Sequence, residues 1–393
     1  MNIDSNKSLR SCTSCQMCAA VCPKYAISIK LNDEGFYRPI VDEALCVDCS
    51  LCTQVCYKFD ESIIGTSNEE LLDIPLYAAS ATDDELVANT TSGGIADLLA
   101  KELIRQGYRV IGVVYDYESD RAVSKVAITE SETDAFRGSK YIQSYTLDAF
   151  RTIVGNCKKE KFAVFGLPCH IYAVNRYLKK YDLRNNCILI DLYCHGCPSM
   201  LVWNKVNASI KKKLKVKQLS FVNFRSKEKG WGQFVLEAKS DKKRYISTPM
   251  HNEFFDLFFS NQVLNESCTD CQLRSTLAYT DIRLGDFWGK LFRRTSRGMS
   301  GISIVTKNGA KLLDRIVNLI SIQKISPDYF IPYQSWGRKY IINSSLRKTV
   351  IDYLLDEDKS INDVAKIKIQ RQGFVAYIKR IVKQVLHIIK LTY

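Results

Sequence analysis

Apolar and polar positions along this chain repeat with two periods, and the clearest stretch runs from residue 146 to residue 213. The pattern predicts a helix over 146–159, a short apolar strand over 162–165, a helix from His170, a second apolar strand over 188–192 and a helix over 199–213. Apolar strands separated by helices of that length pair in parallel, so an α/β core is expected. Upstream, a strand over 76–79 leads through Thr90-Thr91-Ser92-Gly93-Gly94 into a helix with Ile95, Leu98, Leu99 and Leu103 on one face. Gly107 fits its stop, and a buried strand over 110–115 follows. Downstream, 218–225, 233–238 and 244–247 read as antiparallel strands with Lys229-Gly230-Trp231-Gly232 at a turn. A helix carrying Phe254, Phe255, Leu257, Phe258 and Phe259 is read as core. A strand ending in Gly285-Asp286-Phe287-Trp288-Gly289, a strand over 302–305 and a helix over 310–320 complete the pattern.

In the first sixty residues cysteine dominates instead. Cys12, Cys15, Cys18 and Cys22 precede Pro23, and Cys46, Cys49, Cys52 and Cys56, each 34 residues after its counterpart, precede Tyr57. The stretch is a tandem repeat. Three thiolates at intervals of three wrap a loop around one cubane cluster, while the fourth points into the other half and completes the second. Crossed ligand sets follow: Cys12, Cys15, Cys18 and Cys56 for one 4Fe-4S cluster, and Cys46, Cys49, Cys52 and Cys22 for the other. Structural zinc needs four thiolates and leaves the third Cys-x-x-Cys step and the duplication without a reason, and disulfides are disfavoured by crowding and compartment. Tyr57 stands where a second Pro is usual in bacterial ferredoxins, which leaves the fourth ligand of that run less firmly oriented. Residues 24–45 read as short strands about the Asn32-Asp33-Glu34-Gly35 turn.

A chain of 393 residues with 46% hydrophobic side chains has room for two or three domains. We expect a ferredoxin domain over 1–60, a linker of Ser, Thr, Asn and Glu over 61–74, the two parts of an α/β module over 75–200 and 201–350, and a helical basic tail over 351–393. The start, MNIDSNKSLRSC, has no apolar leader core, and no apolar run reaches transmembrane length, so a cytoplasmic protein is expected. The net charge of +14 is uneven: the first sixty residues carry six basic and seven acidic side chains, and the segment after Asp363 carries seven Lys or Arg and no acid. No nucleic-acid module accompanies that charge, so no nucleic-acid partner is expected.

Two further stretches carry chemistry. Ser92 is a natural N-cap, and Gly93 and Gly94 allow a ligand to approach a helix N-terminus, where free amides attract phosphate; the local sequence fits a phosphate loop and a plain capped helix equally. Residues 137–141, Arg-Gly-Ser-Lys-Tyr, read as a second phosphate contact or as a solvated loop. Both apolar strands of the parallel pattern run into cysteine, at Gly166-Leu167-Pro168-Cys169 and at Tyr193-Cys194-His195-Gly196-Cys197. Ligands bind at the carboxyl ends of strands in open parallel sheets, so Cys169 and Cys194 are expected to face one crevice.

Together with Cys268 and Cys271 and with Gly-Asp-Phe-Trp-Gly at 285–289, these motifs resemble the family of beta subunits of coenzyme F-420 hydrogenases and dehydrogenases, preceded by a two-cluster ferredoxin domain. The resemblance covers about residues 1–310. It implies an α+β ferredoxin-like domain followed by an α/β flavin and iron-sulfur domain with an antiparallel β insertion. It implies FAD at Thr91, Ser92, Gly93, Gly94, Arg137, Ser139 and Lys140, with Lys140 and His195 as tuning groups. It also implies a third 4Fe-4S cluster on Cys169, Cys194, Cys268 and Cys271; a zinc site on Cys194, Cys197, Cys268 and Cys271 is the rival. The function implied is an oxidoreductase passing single electrons between clusters and a flavin that serves a two-electron partner, a deazaflavin or another small molecule, with a redox protein as the other partner. An electron-delivery subunit without its own substrate site, and a zinc-stabilised scaffold, are the alternatives.

The tail carries a last expectation. Phe374, Ile378, Ile381, Val382, Val385, Ile388 and Ile389 recur at helical spacing, with Lys379, Lys383 and His387 on another face. Such a helix docks on its own domain, or on an anionic membrane surface or acidic partner, which would hold the protein at the inner face of a membrane.

Overall fold

The computed structural model describes residues 1–249, 252–292 and 295–371. The amphipathic stripe expected from Phe374 onward lies outside them. At the N-terminus β1 (Ile27–Leu31) and β2 (Tyr37–Val41) pair antiparallel. The turn between them closes because the Asn32 side chain accepts the Phe36 N–H at 2.8 Å and Gly35 takes φ 76°.

The α/β part is built on nine strands: β3 (Leu76–Ala81), β4 (Arg109–Asp116), β5 (Arg121–Ala127), β6 (Ser144–Tyr145), β7 (Phe162–Phe165), β8 (Cys187–Leu192), and, after the three strands described next, β12 (Ile282–Asp286), β13 (Ser300–Ile304) and β14 (Ile320–Lys324). The intervening β9 (Phe221–Ser226), β10 (Val235–Ser240) and β11 (Lys243–Ile246) form a separate antiparallel sheet in the order β11-β10-β9. The nine-stranded order is β14-β3-β13-β12-β8-β7-β4-β5-β6. Its centre, β12-β8-β7-β4, is parallel, as the apolar runs require. The hairpins β12-β13 and β4-β5 then reverse the direction toward each edge.

Strands β5, β6 and β14 had no counterpart in the reading of the sequence. Nor had helix Asn68–Asp73 inside the expected linker, which is secured by a capping box in which Ser67 and Glu70 satisfy each other's backbone N–H. Helix Ile95–Arg105 also starts differently from expectation. Its N-cap is Gly94, left-handed at φ 81° with no side-chain cap, because the Ser92 hydroxyl is taken by the carbonyl of Met299 at 2.7 Å.

Helices Leu147–Asn156 and Pro168–Lys180 cover one face of the sheet and share their core with the N-terminal residues: Met17, Ala19, Val21 and Tyr57 pack in one cluster with Phe150, Ile153 and Tyr172. The opposite face is covered by helices Ile95–Arg105 and Lys307–Arg315 over Leu99, Leu103, Ile190 and Ile302. A third core joins Trp203, Phe224, Phe254 and Val350, tying the small antiparallel sheet to helices Met200–Leu214, Glu253–Phe259 and Ser344–Leu355. Each such fully buried large side chain contributes roughly 1.5–3 kcal/mol relative to exposure. Among the described residues no helix is long and apolar enough to cross a membrane.

Candidate functional site

The 34-residue repeat is a repeat of backbone as well as of cysteine. Ser14 and Gln16 are left-handed at φ 64°, and their counterparts Asp48 and Ser50 are left-handed at 48° and 62°. These paired turns coil each loop so that thiols three residues apart face one side. Cys12, Cys15, Cys18 and Cys56 line one cavity with Ile29, Tyr37 and Val55. Cys22, Cys46, Cys49 and Cys52 line the other.

None of these cysteines is in a disulfide. Burial pushes the Cys15 and Cys52 thiols up to about 11, with neighbouring cysteines adding repulsion, and it pushes Cys18 up further beside Cys56, Cys15 and Cys12. Four thiols crowded round one cavity, some of them buried, lack the positive charge that would let them all ionise. Iron bound among them supplies that charge, so both sets fit a cubane cluster.

A third group of cysteines collects at the carboxyl end of the central strands. Strand β7 runs through Gly166 into helix Pro168–Lys180, where Pro168 at the first position places Cys169 in the opening turn. Strand β8 ends two residues before Cys194. Cys268 closes the short turn Glu266–Cys268, and Cys271 precedes the turn Gln272–Ser275. Burial, followed by Cys15, Cys194, Cys271 and Cys268, pushes Cys169 up, so Cys169 lies within electrostatic reach of the other three and of Cys15 near the N-terminus as well. Cys194 rises to about 12 from burial first and Cys268 second, and Cys268 to about 11 from burial first and Cys271 second. Cys197 also lies beside Cys268 and Cys194.

Two arginines attend this group. Arg274 donates to the carbonyls of His195 at 3.1 Å and of Cys268. Arg283, wholly buried, pairs with Asp191 and donates to the Arg274 carbonyl at 3.3 Å. Their charges favour thiolate at Cys194 and Cys271.

The two expected phosphate stretches meet: the Ser139 N–H donates to the Thr91 hydroxyl at 2.7 Å. Their side chains are otherwise occupied. Arg137 pairs with Asp97 at 2.7 Å. The Lys140 ammonium turns back on the carbonyls of Ala135, Phe136 and Arg137, and burial pushes its pKa down to about 7.

The glycines face inward. A Cβ on Gly93 would stand 2.4 Å from the Ala79 carbonyl, and one on Gly94 would meet Leu86 at 3.3 Å, so both serve packing against β3 and its loop. His195 stands apart from this pair. Its Nε2 bonds to Asn261 at 2.8 Å and its Nδ1 to Tyr340 at 3.0 Å and Ser335 at 3.2 Å, among Phe258 and Phe259, and burial pushes its pKa down to about 4. It is a neutral, structurally committed imidazole.

Residues 159–328 match the model of the family described as the C terminus of the coenzyme F420 hydrogenase/dehydrogenase beta subunit, and residues 11–58 match that of a 4Fe-4S dicluster domain. Residues 159–328 thus carry the C-terminal domain of this family of beta subunits, behind a 4Fe-4S dicluster domain. The F subunit of the F(420)H(2) dehydrogenase of Methanosarcina mazei is 23% identical over 336 residues, covering 78% of this chain and 88% of that protein. A chain of the F420-reducing NiFe hydrogenase complex from Methanosarcina barkeri, solved as a xenon derivative, covers 72% of this chain and 94% of its own length at 17% identity, with a TM-score of 0.46. The protein is an iron-sulfur electron-transfer oxidoreductase related to these subunits.

Two residues that contact the expected phosphate stretches were not singled out in the sequence. The Lys227 ammonium donates to the carbonyls of Val87 and Ser92 at 2.5 and 2.6 Å, and burial pushes its pKa down to about 8. Arg225, buried, bonds to the Tyr141 hydroxyl at 2.8 Å and to Asp286 at 3.0 Å, beneath the Trp288 ring that stacks on Trp231. The turn at Trp231 and the Gly-Asp-Phe-Trp-Gly run were the only hints. Nothing local showed that the antiparallel insertion brings them to these stretches.

Proposed function

We propose that the chain conducts single electrons between three 4Fe-4S clusters and FAD, on which a small two-electron partner such as a deazaflavin is oxidised or reduced. Clusters supply one-electron exchange, and a flavin converts between one-electron and two-electron exchange. Cys12, Cys15, Cys18 and Cys56 hold the inner ferredoxin cluster, and Cys46, Cys49, Cys52 and Cys22 the outer one. Cys169, Cys194, Cys268 and Cys271 hold the third.

The observation that carries this reading is the place of Cys169, in the opening turn of helix Pro168–Lys180 and within electrostatic reach of Cys194, Cys268, Cys271 and Cys15 alike. A ligand shared between neighbourhoods in this way makes the α/β group continuous with the N-terminal one. Arg274 and Arg283 balance the charge of an anionic cluster.

For FAD, the fit lies in backbone. Helix Ile95–Arg105 opens without a side-chain cap, and the Thr91–Ser139 bond draws the two stretches together at that opening, where amides attract a phosphate. Arg137 and Lys140, engaged elsewhere, shape the turn. The redox partner is a protein that meets the ferredoxin domain.

The rival reading puts zinc on Cys194, Cys197, Cys268 and Cys271: Cys197 lies within electrostatic reach of Cys194 and Cys268, but among the described residues no three such ligands stand close enough to hold one metal ion. Metal and flavin analysis of anaerobically purified protein decides: about twelve irons with FAD and no zinc is expected, and about eight irons with one zinc overturns the third cluster. Oxidation of reduced deazaflavin with an artificial acceptor then tests the substrate; an inactive, flavin-free protein would favour the electron-delivery subunit.

A further inference from the structure

Tyr57 departs from the two-cluster ferredoxin pattern, and its surroundings supply a reason. It follows Cys56 directly, is 2% exposed, and packs edge-on against Tyr172 with Arg10 over its ring. Its phenol oxygen accepts the backbone N–H of Gln272 at 3.1 Å, and Gln272 follows Cys271. A residue adjoining a cysteine of the inner ferredoxin group is therefore bonded to one adjoining a cysteine of the third group.

A second crossing lies at Asn265, which is fully buried. Its side-chain amide donates to the carbonyl of Cys12 and the hydroxyl of Ser14, both at 3.1 Å, and its side-chain oxygen accepts from Arg38 at 3.1 Å. Its backbone N–H donates to the Cys197 carbonyl and its own carbonyl accepts from the Cys268 N–H, both at 2.8 Å. Every polar atom of Asn265 is thus used in joining the two cysteine neighbourhoods. A proline at 57 would have no phenol to reach Gln272, and an apolar residue at 265 would leave the Cys12 carbonyl buried without this donor.

We propose that Tyr57 and Asn265 are positioning residues that hold the Cys268–Cys271 loop at a fixed distance from the inner ferredoxin cysteines, Asn265 by bracing the loop and Tyr57 by giving electron exchange its route across one hydrogen bond. Electron transfer weakens much faster across a gap than along covalent and hydrogen bonds, so a hydrogen-bonded contact between the two groups sets the rate between them. This rests on the third cluster proposed above.

The test is Tyr57→Phe in the holoprotein, which keeps the ring packing and removes the acceptor. Two quantities are read: hydrogen exchange at the Gln272 amide, and the rate at which an electron delivered by photoreduction reaches the third cluster, followed by freeze-quench EPR. With wild-type iron content and unchanged signals of the individual clusters, the amide should exchange about tenfold faster. Equilibration should slow by about tenfold or more. Equilibration at the wild-type rate in the fully loaded variant overturns the proposal. If Tyr57→Phe does not retain iron, Asn265→Ser is judged by the same equilibration rate and the same criterion. About eight irons in the wild-type protein would instead remove the third cluster, and this proposal with it, before any variant is made.

Discussion

The guanidinium of Arg283 lies against the carboxylate of Asp191, Nε to Oδ1 at 2.8 Å, with both side chains closed to solvent. The same guanidinium donates to the carbonyls of Arg274 and Leu273, so the pair anchors the loop after Cys271 to strand β8. Asp191→Asn would leave a buried cation without its counter-charge, a loss of about 3–5 kcal/mol. Thermal unfolding should show that drop, and iron should be lost from the third group before the ferredoxin groups. A joint replacement by Leu and Met should recover most of the stability without restoring the loop.

Asp60 ties the end of the ferredoxin part to helix Pro168–Lys180. Burial pushes its carboxyl up, but the Tyr172 hydroxyl, the Ser62 N–H at 2.9 Å and hydroxyl at 3.0 Å, and Arg176 at 3.4 Å outweigh that and hold it below the ordinary 3.8. The fold favours the ionised form, so this contribution is complete above pH 3.8 and fades as pH falls through the lower folded value. At pH 7 Asp60→Asn should cost about 1–3 kcal/mol in denaturant titrations followed by circular dichroism. The difference from wild type should narrow once the pH drops below the ordinary Asp value. A gap that widened on acidification would mean that Asp60 is not held ionised by these donors.

Cys169 and Cys197 separate the two metal readings by mutation. Cys169→Ser should remove about four irons and leave the ferredoxin spectrum intact, while Cys197→Ser should leave the iron count near twelve. The zinc reading requires the opposite ranking.

Gly93 and Gly94 are predicted to differ. Gly93→Ala forces a methyl group onto the Ala79 carbonyl and should lower stability by about 1–3 kcal/mol. Gly94→Ala meets the movable Leu86 side chain at 3.3 Å and the Ala81 methyl at 3.4 Å, so its main cost is the left-handed strain of about 1 kcal/mol. Because that methyl points inward, flavin content should be unchanged in Gly94→Ala; flavin loss there without loss of stability would show that the ligand reaches closer than the backbone amides.

How much of this was legible beforehand depended on whether the deciding interaction was local. The cysteine repeat was legible because its spacing is itself the chemistry, and the parallel core was legible because both faces of β7 and β8 are buried. Strands β5 and β6 were not: Arg121, Ser124 and Lys125 interrupt the apolar run, as expected for strands near a sheet edge. Ser92 looked like a cap, but a carbonyl 207 residues away took its hydroxyl. The helix at 68–73 was hidden by a composition typical of linkers, although Ser67 and Glu70 already spelled its capping box. Tyr57 registered only as a missing proline, since its partner at Gln272 is distant in the chain.

The shared core of the N-terminal residues and helices Leu147–Asn156 and Pro168–Lys180 bears on the order in which the chain can be completed. Synthesis delivers Met17, Ala19 and Val21 long before Phe150, Ile153 and Tyr172 exist to cover them, and Leu273, in the same cluster, comes later still. The segment translated first is therefore among the last to be enclosed. Until then its eight thiols stand open to whatever metal or oxidant the cell presents, so cluster loading and chain completion have to be matched in time.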